Sequence, residues 1–524
     1  MLGRGDAGAK PLAETSRRRR HGLVWPSAAT LILTLANVSV FGASATDGQG
    51  AIRIPAQAGE PTRLVASRAT KDATRIRRGE NGARWVVGWG DANPSAITWS
   101  VDIRDAGDYA VSVLLDHESG PAVTIELRAG TSATRVVSHA ATAGMRYRAV
   151  RLTAVEPLVL EADVHSLVLD VRSPSASPAQ LAIFSIELTR QVDRESISAT
   201  AVGSRARTDA FAAMGHGFMV HYTPESYPRQ GRRRSWSEAV RDFDVDGFAE
   251  QVQRGGAGFV VLVTAHMRWS FPAPLRSVDA LLAGRTTQRD LIDDLATALE
   301  KRGIRLMLYL NPAWDQEVRE LTGDGPAASE RLIEIWNATL SEIGERYGER
   351  VFGYWFDRGP WFYEFAPSWA ALRAVTRAGN PNRLISWNRS RLPMLTDMQD
   401  FESCEKCDDP SAGGHLIVGG DGRYTGGPAP GLQAAATLLA EHPPAGQSAD
   451  PWVHRWPDTA IGAPRWDACT LARLLSEFKA HRNVPIFNIG IYQDGRLSDE
   501  TIGLFEAARQ IELRQQTTAA CIGD

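Results

Sequence analysis

Two hydrophobic periods divide the chain. Ile97, Trp99, Val101 and Ile103 alternate with Thr98, Ser100 and Asp102. After the turn residues Ala106, Gly107 and Asp108, the alternation resumes at Tyr109, Val111 and Val113. A period of two turns one face of each strand to a core and the other to water. Val123, Ile125 and Leu127 repeat it, as do Leu167, Leu169 and Val171, then Ile186 and Leu188, with Gly, Pro and Ser between the runs. Short alternating strands separated by turn signals predict an N-terminal β-sandwich over residues 46–195.

Beyond residue 195 the pattern becomes helix, glycine, apolar strand. Phe248 and Val252 mark a helix ending at Gly255 and Gly256, before the run Phe259 to Val263. Leu291, Ile292, Leu295 and Leu299 mark the next, ended by Gly303 before Ile304 to Leu310. Leu332, Ile333, Trp336, Leu340 and Ile343 mark a third, stopping near Gly348 before Val351 to Phe356. Glycine suits a helix C-terminus because a left-handed residue without a Cβ closes the last turn. Strands that are apolar throughout belong to a parallel sheet covered on both faces. With Phe218 to His221, Leu384 to Trp387 and Ile486 to Ile489, at least six strands fall within about 300 residues, which predicts a (β/α)8-like TIM barrel over 196–524. The chain is therefore expected to be multidomain, a sandwich followed by a barrel. No G-x-G-x-x-G or P-loop follows a strand, which argues against nucleotide binding.

Residues 1–45 read differently. A basic run, Arg17 to Arg20, precedes an uncharged stretch ending in Ala43, Ser44 and Ala45, the pattern of a cleaved export signal. The mature protein is then expected in the periplasm or outside the cell, free of the membrane. Across 524 residues, 58 basic against 61 acidic side chains leave a net charge of −3, too balanced for a nucleic-acid-binding surface. Four cysteines are too few for a disulfide scaffold. Cys404 and Cys407 have half the spacing of a zinc site with no second pair, so a local disulfide is expected there, with Cys469 and Cys521 isolated and neither metal nor cofactor required.

In a parallel barrel the chemistry sits where strands end. The predicted strands end at His221 and Tyr222, at His266, Arg268 and Trp269, at Tyr309 and Asn311, at Trp355 and Asp357, and at Trp387 and Asn388, and a further segment ends near Asp400, Phe401 and Glu402. Two carboxylates, imidazoles, an amide and several indoles at one mouth suit glycoside hydrolysis, which needs one ionised and one protonated carboxyl. Imidazole and amide groups bond ring hydroxyls, and indoles stack on the apolar face of a sugar.

The segment Gly217-Phe218-Met219-Val220-His221-Tyr222 resembles a strand of the α-L-fucosidases of glycoside hydrolase family 29. Ser235-Trp236, Gly256 to Leu262, Arg289-Asp290-Leu291, Arg305 to Tyr309 and Tyr354-Trp355-Phe356-Asp357-Arg358-Gly359 follow in that family's order, through roughly residues 210–510. The sandwich, with Trp99, Val101, Ile103, Gly107 and Tyr109 in sequence, resembles carbohydrate-binding modules of the jelly-roll type. The family resemblance implies a retaining α-L-fucosidase-like enzyme acting on an oligosaccharide or glycan, with Asp357 as nucleophile. It places an acid/base glutamate a few dozen residues later, for which Glu402 is the first choice, ahead of Glu405 and Glu364. His221, Tyr222, His266, Arg268, Trp269, Tyr309, Trp355 and Asn388 are the expected substrate contacts. Met267 and Arg268 stand where the family has paired histidines, which keeps open a changed substrate with an anionic group near Arg268. It also keeps open a sugar-binding protein without activity, or an adhesion protein acting through the sandwich.

Overall fold

The structure is a computed structural model. It describes residues 51–515, apart from 56–59, 72–73, 79–83, 90–94, 141–148, 173–179, 204, 267, 312–315, 323–325, 358–368, 389–395, 397, 406–420, 425–430 and 443–460. The expected signal segment, 1–45, lies outside the described residues, as do Glu364 and Cys407.

The alternating region forms two mainly antiparallel sheets. One has six strands, with Asp163–Arg172 between Ser95–Ile103 and Val123–Ala129. The other has seven, with Gln180–Arg190 paired to Gly107–Ser119. Ile97, Trp99, Val101, Leu167 and Leu169 of the first sheet share one buried cluster with Tyr109, Val111, Val113, Ile183 and Ile186 of the second. The two apolar faces thus pack together, as the period of two requires. Trp85, Leu114, Ala182 and Phe184 instead join the hydrophobic cluster of the barrel. Trp85, Trp89 and Trp99 are all buried, so none of the described sandwich tryptophans offers an open stacking surface. A helix, Gln191–Gly203, follows the last sandwich strand directly, and the expected division at residue 195 falls inside it.

The second region is a parallel eight-stranded barrel. Its strands are β1 (Gly217–Val220), β2 (Phe259–Ala265), β3 (Arg305–Leu310), β4 (Val351–Phe356), β5 (Leu384–Trp387), β6 (Phe401–Glu405), β7 (Gln433–Leu439) and β8 (Val484–Ile489). Backbone pairing runs β5-β4-β3-β2-β1-β8-β7-β6. The helices begin at aspartates whose side chains accept backbone N–H groups: Asp244 from Gly247 and Asp290 from Asp293. Gly256, Gly303 and Gly348, at φ 75°, 71° and 51°, follow their C-termini in the left-handed region.

Side chains close the seam between β5 and β6. Ser386 and Ser403 hydroxyls meet at 2.9 Å. Asp400 donates its backbone N–H to Ile385 O, and its carboxylate accepts the Ile385 N–H, both at 2.8 Å. Asp400, fully buried, also accepts from Arg373, Arg377 and the Ala206 N–H. The six expected apolar strands are present as β1, β2, β3, β4, β5 and β8, whereas β6 begins where a segment was expected to end and β7 was not predicted.

Candidate active site

Parity along each strand decides which side chains reach the barrel interior. Met219, Val261, Val263, Met307, Tyr309, Trp355 and Leu384 form one inner cluster. Their neighbours Val220, Leu262, Leu308, Tyr354 and Ile385 belong to the outer layer under the helices. Continuing the inner parity past the strand ends brings His221, Asn311, Asp357 and Asn388 to one mouth.

Asp357 is the centre of this cluster and is 8% exposed. The Tyr309 hydroxyl donates to its Oδ2 at 2.5 Å, and Asn311 Nδ2 to the same oxygen at 3.3 Å. Asn388 Nδ2 donates to Oδ1 at 2.8 Å. Backbone bonds hold the ends of the strands in register: Asp357 N–H to Leu310 O at 2.9 Å, and Asn388 N–H to Phe356 O at 2.7 Å. Three neutral donors therefore orient this carboxylate, and no ion pair engages it among the described residues. That arrangement differs from a salt-bridged aspartate at a barrel end.

The imidazoles stand beside it. His221 and His266 rings meet edge to face at 5.3 Å between centroids, and each lies 5.8 Å from the Tyr309 ring. His221 Nδ1 pairs with Asn488 Oδ1 at 3.0 Å, which holds the ring in place when Nδ1 carries the proton. Trp355 stacks under Tyr309 at 4.9 Å and is wholly buried, making it the floor of the site. Arg268 is exposed two residues beyond His266.

Two expected contacts lie elsewhere. Tyr222 points outward, donating its hydroxyl to Gln493 O among Trp236 and Phe243. Trp269 also lies in the outer layer, against Trp336 at 4.9 Å. Its indole N–H donates to Asn311 O at 3.1 Å, so it supports the asparagine from behind and forms no part of the mouth. Each sits in the turn after its strand, where the inward parity is lost.

The glutamates separate for the same reason. The segment near Asp400 was expected to end a strand there, but Phe401 begins β6, so Glu402 is its second residue. Phe401 is in the inner cluster and Ser403 meets the inner Ser386, so the intervening Glu402 faces the outer layer, 1% exposed. Glu402 is therefore not brought to Asp357. Position 405, two beyond Ser403, shares the inner parity and ends the strand. Asn388 lies two beyond Ser386, so positions 388 and 405 stand level across the seam.

Asn311 and Asn488 were not among the expected contacts. Each is the first or last inner-parity residue at a strand end, which was the available signal. Cys469, expected to be isolated, is disulfide-bonded. No cluster of metal-ligating side chains occurs among the described residues.

The oriented, buried carboxylate among imidazoles and amides thus lies at the end of a parallel barrel where such folds place their chemistry. Residues 221–408 match the family model described as Alpha-L-fucosidase, so that part of the barrel is α-L-fucosidase-like. No curated protein matches it. Among solved structures, an alpha-L-fucosidase from Lactobacillus casei in complex with its alpha-L-fucose product is 16% identical, with a TM-score of 0.40, covering 60% of this chain and 100% of that one. A family 29 alpha-L-fucosidase from Bacteroides thetaiotaomicron is 14% identical, also at 0.40, covering 59% of this chain and 73% of that one.

Proposed function

We propose that this protein is an exported retaining glycosidase that removes terminal α-L-fucosyl or closely related residues from glycans. The observation that carries the reading is Asp357, held by Tyr309, Asn311 and Asn388 at the mouth of the barrel. In the first step its carboxylate attacks the anomeric carbon. The glycosidic C–O bond breaks, and the leaving oxygen takes a proton from the acid/base, leaving a glycosyl ester on Asp357. In the second, the ionised acid/base takes a proton from water, which attacks the same carbon, frees the sugar and regenerates the aspartate.

Glu405 is the glutamate we assign to the acid/base role, because its position shares the inner parity and the level of Asn388. His221, His266 and Asn488 supply donors and acceptors for ring hydroxyls, and Arg268 offers a cation to an acidic substituent.

Hydrolysis of an aryl α-L-fucoside by wild type and Asp357→Ala tests the reading. Turnover should fall by about a thousandfold or more while the fold, judged by thermal unfolding, is kept. Saturable fucose binding without hydrolysis of any aryl glycoside in a panel would make the protein a sugar binder.

A further inference from the structure

A cavity opens at the end of the barrel opposite Asp357. It has a volume of about 430 Å³, within the range of small-molecule sites. Its walls come from Met214 to His216 before β1, Gly256 before β2, Asn483 and Pro485 at the start of β8, and the helices Ala468–Ala480 and Asp499–Gln515. Its His216 and the His221 of the mouth lie at opposite ends of β1, roughly 16 Å apart along the strand.

The charge on this cavity is one-sided. Lys479, Arg482 and Arg509 line it against a single carboxylate, Glu512. Neither Lys479 nor Arg509 makes a side-chain hydrogen bond or ion pair among the described residues, while Arg482 Nη2 reaches Asp209 at 3.2 Å. Arg482 is also the one described non-glycine residue with a positive φ, 54°. An arginine held in the left-handed region costs stability that a glycine would not, and such outliers gather at ligand sites. His216 donates Nε2–H to Gly255 O at 3.1 Å, and burial lowers its pKa to about 4, so at neutral pH its Nδ1 is a lone-pair acceptor. Its ring stacks on Phe505 at 5.4 Å, giving the cavity a flat, uncharged wall.

We propose that this cavity binds a small organic oxyanion, a phosphate, sulfate or carboxylate on a compact ring-sized body. The headgroup lies between Lys479, Arg482 and Arg509, and the body rests near His216. Guanidinium and ammonium groups that outnumber the carboxylates beside them make charge-assisted bonds to such an oxyanion.

Titration calorimetry on the full chain tests this with phenyl phosphate, inorganic phosphate and phenol. Phenyl phosphate should bind saturably below about 1 mM, inorganic phosphate more weakly, and phenol not at all. The double variant Lys479→Ala/Arg509→Ala should weaken phenyl phosphate by about tenfold or more, with aryl glycoside turnover unchanged. Arg482→Gly should also weaken it while the thermal midpoint holds or rises, because glycine relieves the backbone. The proposal fails if binding does not saturate by about 10 mM, or if the double variant binds as wild type does. It fails equally if phenyl phosphate competes with the aryl glycoside and is released by Asp357→Ala instead.

Discussion

Asp357 depends on its neighbours for direction. An aspartate side chain has two free torsions, and the Tyr309 hydroxyl and the two asparagine amides remove that freedom by engaging both oxygens. Tyr309 is the strongest of these partners, at 2.5 Å, and it rests on Trp355, so its hydroxyl cannot swing away without breaking the stack. Removing only that oxygen in Tyr309→Phe keeps the ring and its packing. A lost hydrogen bond to a charged group is worth about 1.5–3 kcal/mol, so kcat should fall by roughly 10- to 150-fold with little change in thermal midpoint. Unchanged kcat would mean that this contact does not orient the nucleophile. Asp357 was legible in the sequence as a polar residue ending an apolar run. Its partners Asn311 and Asn388 were legible in the same way, but Tyr222 and Trp269 show the limit of that logic, since one further residue turns a side chain to the other face.

At the level of the strand, the register of β6 underlies the proposed choice between Glu402 and Glu405. Its second residue, Glu402, lies between inner Phe401 and inner Ser403 and so faces outward, whereas Glu405, at the strand's end, is two positions beyond Ser403. Glu405→Gln should slow substrates with poor leaving groups by about a hundredfold or more, spare activated aryl substrates, and respond to added azide. Glu402→Gln should leave that leaving-group dependence as in wild type. The opposite pattern would return the role to Glu402. The seam beside β6 makes a separate demand on Asp400. Asp400→Ala would leave Arg373 and Arg377 facing one another, with side chains 6% and 13% exposed. Stranding buried charge in this way costs about 3–5 kcal/mol, which denaturant unfolding should register as a lowered midpoint. An unaltered midpoint would show that the two serines suffice to close the barrel. The sequence could not announce this role, because Asp400 binds Ala206 and Ile385 from distant parts of the chain.

Across the molecule, the sandwich and barrel meet through shared apolar burial, with Trp85 and Phe184 in the barrel's cluster. Leu114 and Ala182 of the same sheet are buried with them, so this apolar face of the sheet is covered by the barrel. A buried acid then ties the barrel's last units together. Glu441 accepts from the Gly490 N–H at 3.0 Å and the Thr501 hydroxyl at 2.9 Å, linking the ends of β7 and β8 to the helix Asp499–Gln515. Burial pushes its pKa up to about 8, against the pull of those two donors. Between the ordinary glutamate range and pH 8, the folded chain therefore holds a proton that the unfolded chain has lost. Stability from this group is full at low pH and falls as pH rises, by up to about 1.4 kcal/mol per unit. Glu441→Gln removes the titration, so its stability relative to wild type should increase steadily between pH 5 and pH 8 in denaturant unfolding. Parallel pH curves for the two proteins would rule this out.

The sequence by itself determined the two periods, and with them a sandwich followed by a barrel, because alternation and apolar runs are local consequences of which faces must be buried. It also determined Asp357, since a carboxylate ending a buried strand is visible without knowing what surrounds it. Strand β7, Gln433–Leu439, was hidden because its three consecutive alanines carry little preference for strand over helix. The outward turn of Glu402, the closing of the seam by Asp400 and the cavity among Lys479, Arg482 and Arg509 were decided only by the tertiary structure. Each depends on register between segments far apart in the chain, and a shift of one residue sends a side chain to the opposite face.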